Sequence, residues 1–299
     1  MTDQTCSMTD TDISQHAATH MGEASWPTVW LAVASVLCYF LLIDLTAAGS
    51  LSLVLAFPLA TYLVYATYTP LHEAVHRNIC GRHRSLLWLN NLVGYLVATV
   101  LGVSYTMHRA AHMAHHRATN VEGEDPDLVT TDRSPLAIMT CGSKMVVSEY
   151  RDYFSRVFPR APLKERVTVL VEIFFFIGWR IGLALNGYAA EVLVLAVLAN
   201  IAGVTLLGFL FAWVVHTPFD QTERYRDTAT IILPAPVHGI LTHLWLWQNY
   251  HSIHHLFPRV PYYRYAMLFD DIRTGMVERG APIIDFGAQA SKQSTFRIG

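Results

Sequence analysis

Positive charge is missing from the first 76 residues of this chain, because Arg77 is the first of its 21 Lys and Arg residues. Charge of either sign is scarce throughout, since 15% of the residues are charged and 53% are hydrophobic. Typical soluble domains have about 25% charged residues, so this composition argues against an ordinary soluble enzyme and favours a membrane protein. The formal net charge of −2 and the lack of a basic stripe argue against nucleic acid as a partner.

Cysteine is sparse as well. The four cysteines occur singly, with no Cys-x-x-Cys pair, at Cys6, Cys38, Cys80 and Cys141. This pattern supports neither an iron–sulfur cluster nor a disulfide framework. Because Cys38 lies in an apolar run, we predict that it is a small buried hydrophobic residue.

The first 25 residues contain acidic residues but no basic ones. They also lack the basic, apolar and small-residue order of a secretory signal, so we expect no cleaved targeting segment. We predict a disordered acidic tail over residues 1–25 and a single membrane domain over residues 26–299.

Long uncharged stretches follow, and a membrane-spanning helix needs about 20 apolar residues. They predict spans over residues 27–47, 50–70, 167–187 and 189–213. Arginines follow the second span at once, which indicates that this end is cytoplasmic. We therefore predict an all-α integral membrane protein with four transmembrane helices in two hairpins and with interfacial helices. A histidine-rich cap and both termini are predicted on the cytoplasmic side.

A further uncharged stretch covers residues 85–107, and hydropathy alone would make it another span. A complete crossing would place His72 and His76 on the opposite side of the bilayer from the histidines at 112–116. Asparagines and glycines also make this stretch less apolar than the first hairpin. We therefore predict that it lies in the membrane interface, or dips into the bilayer and returns.

Charges near the second hairpin have several possible roles. Glu172 and Arg180 lie in its first arm, where charge is costly in lipid. We predict that they face protein, pair with each other or mark a substrate route. The basic and aromatic segment from Lys144 to Arg166 is either a solvated amphipathic segment or a contact for acidic lipid headgroups or an acidic electron donor.

Histidine is the residue with the clearest pattern. Eight of the 15 histidines form three boxes: His72-Glu-Ala-Val-His76, His112-Met-Ala-His115-His116 and His251-Ser-Ile-His254-His255. On a helix, positions i, i+3 and i+4 share a face, so each box predicts a group of metal ligands. Imidazole binds zinc, copper, iron and nickel, and the boxes alone do not name the metal. A structural zinc takes about four ligands, whereas eight or nine histidines are enough for two ions with open positions.

The three ordered boxes, from about Leu71 to Tyr265, resemble those of the membrane di-iron superfamily of fatty-acid desaturases and hydroxylases. Within it, several stretches resemble the cyanobacterial-type β-carotene hydroxylases. They are His112-Met-Ala-His115-His116 with Asn120 and Glu124-Asp125-Pro126-Asp127, then His216-Thr-Pro-Phe219, then Gln248-Asn249-Tyr250-His251-Ser-Ile-His254-His255-Leu-Phe-Pro258. The His-His-Leu-Phe-Pro ending also occurs among acyl-lipid desaturases.

This resemblance implies two iron ions bound by histidines. The implied ligands are His72, His76, His112, His115, His116, His251, His254 and His255, with His216 as the ninth. A lone histidine at a helix end is otherwise more often a capping or interfacial group. The residues implied around them are Asn249, Asp125 and Asp127, which could orient imidazoles, and His108; turn formation would equally explain the two aspartates.

The implied reaction is the oxidation of a lipophilic substrate with dioxygen and two electrons. We predict hydroxylation of β-carotene at the 3-position of its β-ionone ring, giving cryptoxanthin and zeaxanthin; the alternative is an acyl-lipid desaturase with the same metal site. The sequence contains no Gly-x-Gly-x-x-Gly fingerprint and no cysteine cluster, so we expect a separate donor, ferredoxin with its reductase. A metal transporter would place histidines inside the spans, whereas these boxes flank them.

Overall fold

The computed structural model describes residues 7–130, 134–141, 143–218 and 220–287, and these residues are mostly helical. The helices are α1 (Asp10–Thr19), α2 (Trp26–Ala47), α3 (Leu53–Val75), α4 (Leu87–Leu101), α5 (Tyr105–Arg117), α6 (Pro135–Cys141), α7 (Lys144–Asp152), α8 (Leu163–Leu183), α9 (a helical run over 189–216 with π-helical turns), α10 (Ala235–Leu244), α11 (His251–Leu256) and α12 (Tyr265–Glu278). Two short strands, β1 (Thr230–Ile232) and β2 (Ile283–Asp285), pair in parallel.

Among the described residues, four helical runs are long and apolar enough to cross a membrane: Trp26–Ala47, Leu53–Val75, Arg84–Leu101 and Leu163–His216. The last run is not one straight helix. Asn186 and Gly187 have non-helical backbone angles, with Gly187 at a φ of 100°, which glycine adopts without steric cost. This break separates α8 from α9 at the place where the sequence predicted a turn.

The apolar helices pack closely around α3. Ala56, Ala60 and Val64 are fully buried along it. At Gly203 of α9, a Cβ atom would lie 2.8 Å from the Thr61 carbonyl oxygen of α3, so only glycine allows this approach of the two backbones. The close packing brings His216, at the end of α9, to the end of α3 that carries the first histidine box.

The stretch at 85–107 forms α4, a turn and the start of α5, with Gly102 in the left-handed conformation at the end of α4. Both sides of the stretch return to one carbonyl oxygen: Ala74 accepts from Asn90 Nδ2 and from the Tyr105 hydroxyl, each at 3.0 Å. Although residues 84–101 are long enough to span a bilayer, the histidines before and after this stretch meet in one cluster. The stretch therefore leaves one end of the molecule and comes back to it.

The N-terminal segment differs from the predicted disordered tail. Residues 10–19 form α1, capped at Thr9 by a reciprocal pair of hydrogen bonds with Asp12. Its Ile13 side chain is fully buried against α12 at Gly275, and Asp10 forms a 2.7 Å ion pair with Arg279. The acidic charge that suggested disorder is thus paired with the C-terminal part of the chain; residues 1–6 lie outside the described residues.

The prediction for Cys38 was wrong. This thiol lies on the exposed face of α2, beside exposed apolar residues such as Leu37 and Leu41. An apolar run that spans a bilayer has a lipid-facing side as well as a buried one, and the run alone did not say which side Cys38 occupies.

Candidate metal centre

The first histidine box lies at the end of α3. His72 and His76 are one turn apart and 0% and 5% exposed. Their side chains therefore leave the same face of the helix. Arg77 follows with a φ of 61°, so the chain changes direction directly after the box.

The second box lies on α5, whose first turn is capped by the Ser104 hydroxyl. His112 and His116, four residues apart, point to the first box, since His112 Nε2 is 2.9 Å from His76 Nε2 and 3.0 Å from His116 Nε2. His115 points to the end of α9, with its Nε2 3.2 Å from His216 Nε2. The second box is thus divided: His112 and His116 face the first box, and His115 faces His216.

The third box forms the short helix α11, which follows two residues with left-handed backbone, Leu246 and Trp247. This box also divides. His254 Nε2 lies 2.9 Å from His72 Nε2, whereas His255 Nε2 lies 3.2 Å from His251 Nε2.

All nine histidines that the sequence singled out meet in two adjoining groups. The first group, here called group A, contains His72, His76, His112, His116 and His254. The second, group B, contains His115, His216 and His255, whose ligand atoms lie within 4.8 Å of one another, together with His251. The groups touch where the rings of His116 and His255 approach to 4.6 Å between centroids. The other described histidines lie outside both groups.

The spacing of the Nε2 atoms fits bound cations. Two imidazole nitrogens that bind one ion at about 2.1 Å and at right angles lie about 3.0 Å apart. Hydrogen bonds alone do not explain the contacts, because His254 Nε2 approaches both His72 Nε2 and His116 Nε2, at 2.9 and 2.8 Å. A ring nitrogen either donates one proton or accepts, so a chain of such contacts leaves lone pairs facing each other. A shared cation removes that conflict.

Burial keeps His76 and His112 in the neutral form, which is the form that binds metal. Burial lowers the pKa of His112 well below its ordinary value. Burial, and after it the positive charge of Arg259, lower the pKa of His76 to about 3. Both rings are therefore neutral at physiological pH, and a neutral imidazole has a lone pair to offer.

Outer partners fix several of the rings. The Nδ1 atom of His115 lies 2.8 Å from Asp125 Oδ1 and 3.6 Å from Asp127 Oδ2, so both aspartates named from the sequence lie at the site. The hydrogen bond to Asp125 holds the tautomer in which the His115 Nε2 lone pair is available to a metal ion. Among the described residues, Asn249 forms no hydrogen bond with an imidazole: its amide donates to the Ile231 carbonyl at 3.0 Å.

Two further partners were missed by the sequence interpretation. The Tyr265 hydroxyl lies 3.1 Å from His254 Nδ1, and Asp227 Oδ2 lies 3.6 Å from His255 Nδ1. Neither residue has a helical spacing to its histidine, so no local pattern in the sequence could have revealed them.

A cavity of about 60 Å³ borders both groups. Its histidine side is formed by His112, His115, His216 and His251, and its opposite walls are mostly apolar. His108 lies in this wall rather than in either group, with Nδ1 3.1 Å from Glu149 Oε1. The cavity is where an apolar substrate could meet both groups of ligands.

Comparisons with known proteins agree with this arrangement. The model of the fatty acid desaturase family matches residues 48–287, a range that includes all nine histidines. A Δ12 fatty acid desaturase of Mortierella isabellina is 28% identical over 138 residues, which is 43% of this chain and 34% of that protein. The similarity therefore spans about a third of the length of this relative.

Proposed function

Because this chain belongs to the fatty acid desaturase family, we propose that it is a membrane-bound di-iron enzyme that oxidises an unactivated C–H bond of a lipophilic substrate. The observation that carries this proposal is the meeting of nine imidazoles in two adjoining groups beside an apolar cavity. Five ligands in one group and four in the other exceed what one ion needs.

Bound iron would supply the activation of dioxygen and of the C–H bond, chemistry that no side chain here can perform. The chain provides the rest. Its buried His76 and His112 offer neutral lone pairs, and Asp125 and Tyr265 fix the orientation of two of the rings. The apolar walls of the cavity exclude bulk water and decide which carbon faces the metals.

For the reaction, we propose hydroxylation of β-carotene at the 3-position of the β-ionone ring. The support is the run of motifs around the second and third boxes and His216, as given by their resemblance to β-carotene hydroxylases. Acyl-lipid desaturation at the same site is the second candidate, and the similarity to a Δ12 fatty acid desaturase favours it.

The same proposal includes a topology. We propose two transmembrane hairpins, α2 with α3 and α8 with α9, with the histidine groups and both termini on the cytoplasmic side. The α4–α5 stretch would then enter the bilayer and return. A lipophilic substrate would enter laterally between the hairpins, and ferredoxin with its reductase would deliver electrons from the cytoplasm.

Expression in a bacterium that accumulates β-carotene tests the reaction. Cryptoxanthin or zeaxanthin is expected in extracts, and neither is expected with His254→Ala at equal membrane content. Unchanged carotene together with new unsaturated fatty acids would replace the hydroxylase proposal with the desaturase. Absence of both products, with a ferredoxin system and iron supplied, would count against either enzyme.

A further inference from the structure

The histidine cluster has two different faces. The cavity touches His112 and all of group B except His255, but neither His76 nor His116 lines it. His116 is also the member of group A that is partly exposed, whereas the other four are buried. His112 is thus the member of group A that reaches the cavity, whereas His116 makes group A approachable from outside.

An exposed arginine follows each of the three histidine boxes. Arg77 follows His76, Arg117 follows His116, and Arg259 comes four residues after His255, so each histidine box ends next to an arginine. All three side chains are exposed. Within the described ranges, none of them forms an ion pair with a carboxylate, although other arginines such as Arg279 do.

Helix α5 adds an apolar centre and a fourth cation. Arg109, Met113 and Arg117 are spaced four residues apart, which places them along one side of the helix. Met113 is 43% exposed although it is a large apolar residue. The positive charges of Arg259 and Arg109 both act on His76, so arginines that flank the second and third boxes lie near a ligand of the first box.

We propose that the arginine rim, formed by Arg77, Arg109, Arg117 and Arg259 around Met113, docks an acidic iron–sulfur protein that reduces the metal pair through His116. This inference rests on the proposed function. In each encounter the reduced cluster of the donor would lose one electron to iron held by the histidines, so two encounters would supply the two electrons of a turnover. Unpaired cations around a small apolar centre are suited to a fast, short-lived complex with an acidic partner.

The basic segment from Lys144 to Arg166 is a weaker candidate for this contact. Its charge is partly neutralised internally, since Arg156 pairs with Asp152 at 2.9 Å. Its Glu149 contacts His108 and belongs to the wall of the substrate cavity. This segment therefore lies against the cavity side of the site, away from the partly exposed ligand.

The test uses the full-length, iron-loaded protein in nanodiscs of neutral lipid and a reduced plant-type ferredoxin as the probe. The variant carries Arg117→Glu and Arg259→Glu, and the matched control carries Lys164→Glu, a charge reversal at an exposed lysine of the other basic segment. Oxidation of ferredoxin is followed after anaerobic mixing at low and high salt. Iron content and reduction by dithionite are measured in parallel.

At low salt, electron transfer from ferredoxin is expected to slow on the order of tenfold in the double variant and to lose its dependence on salt. The control, the iron content and the dithionite reaction should be unchanged. A rate equal to that of the unmodified protein, or the same slowing in the control, would overturn the proposal, as would a loss of iron or of dithionite reduction. If the slowing appears only in nanodiscs of anionic lipid, the rim binds lipid headgroups and not the donor. Absence of iron from the unmodified protein would refute the proposed function instead.

Discussion

Glu172 and Arg180, eight residues apart on α8, hold the two sides of the turn between α4 and α5. The Arg180 guanidinium donates to the carbonyl oxygens of Thr99 and Val100, at 3.1 and 2.9 Å, where α4 ends. The Glu172 carboxylate accepts from the Ser104 hydroxyl and from the backbone N–H of Thr106, where α5 begins. Each charge has the sign that the adjacent helix dipole favours, so the two residues serve the turn and do not pair with each other.

Loss of this arrangement should destabilise the second histidine box. Replacing Arg180→Met removes the guanidinium donors from these carbonyl oxygens, at about 1.5–3 kcal/mol for each bond to a charged group. Trp179 Nε1 still donates to Thr99 and Asn200 Nδ2 to Val100. We expect a lower unfolding temperature and reduced iron content in the purified protein, measured by thermal unfolding in detergent and by elemental analysis. Arg160→Met is the control, because Arg160 is exposed and contacts only a carbonyl of its own segment. An Arg180 variant as stable and iron-rich as the control would show that the turn holds without these bonds.

Metal content should report the two groups separately. The unmodified protein is expected to bind about two iron ions per chain. His72→Ala removes a ligand of group A, and His251→Ala removes a ligand of group B, so each should lose about one of the two ions. His243→Ala should lose none, since His243 is exposed and lies outside both groups. Equal loss of both ions in either variant would mean that the groups do not bind independently.

The helical spacing of the histidines predicted that the eight box residues form groups of ligands, but not how they divide, and His216 was implied only by the family resemblance. At i, i+3 and i+4 three side chains share one broad face. His115 and His116 are nevertheless in different groups, although they are consecutive residues. The partners at Tyr265 and Asp227 come from distant parts of the chain. Tyr265 and Asp227 are brought to the histidines by the packing of α12 and of the loop before β1. The periodicity of the sequence around each histidine cannot predict that packing.

The carboxylate beside His115 should tune metal affinity. Asp125→Asn keeps the size of the side chain but weakens the acceptor for the ring Nδ1–H, which is 2.8 Å away. Changes of this kind lower metal affinity by about 10–100-fold. Competition with a graded chelator should show this loss at one of the two ions. Glu122→Gln, an exposed change on the same loop, should leave affinity unaltered; comparable affinities in the two variants would remove Asp125 from the set of orienting residues.

The metal-free protein should lose stability in acid. Burial and then the charge of Arg259 lower the pKa of His76 in the folded state from 6.5 to about 3. The unfolded chain therefore binds more protons below pH 6.5, and stability falls as the pH falls from 6.5 towards 3. Thermal unfolding of the chelator-treated protein at a series of pH values measures this fall. An unfolding temperature that stays constant or rises on acidification would contradict it.

Filling the cavity should block the reaction without removing the metals. Val204 lines the cavity and is 5% exposed, so Val204→Phe adds volume to a space of only about 60 Å³. Overpacking of this kind typically costs about 1–3 kcal/mol of stability, so we expect the protein to remain folded. The added ring should nevertheless prevent the substrate from binding in the cavity. We expect full iron content with little or no product in the carotene-producing host. Val197→Phe makes the same change on the exposed side of α9, where Val197 is 38% exposed, and should retain activity. Product formation by Val204→Phe at the rate of Val197→Phe would show that the substrate reaches the metals by another route.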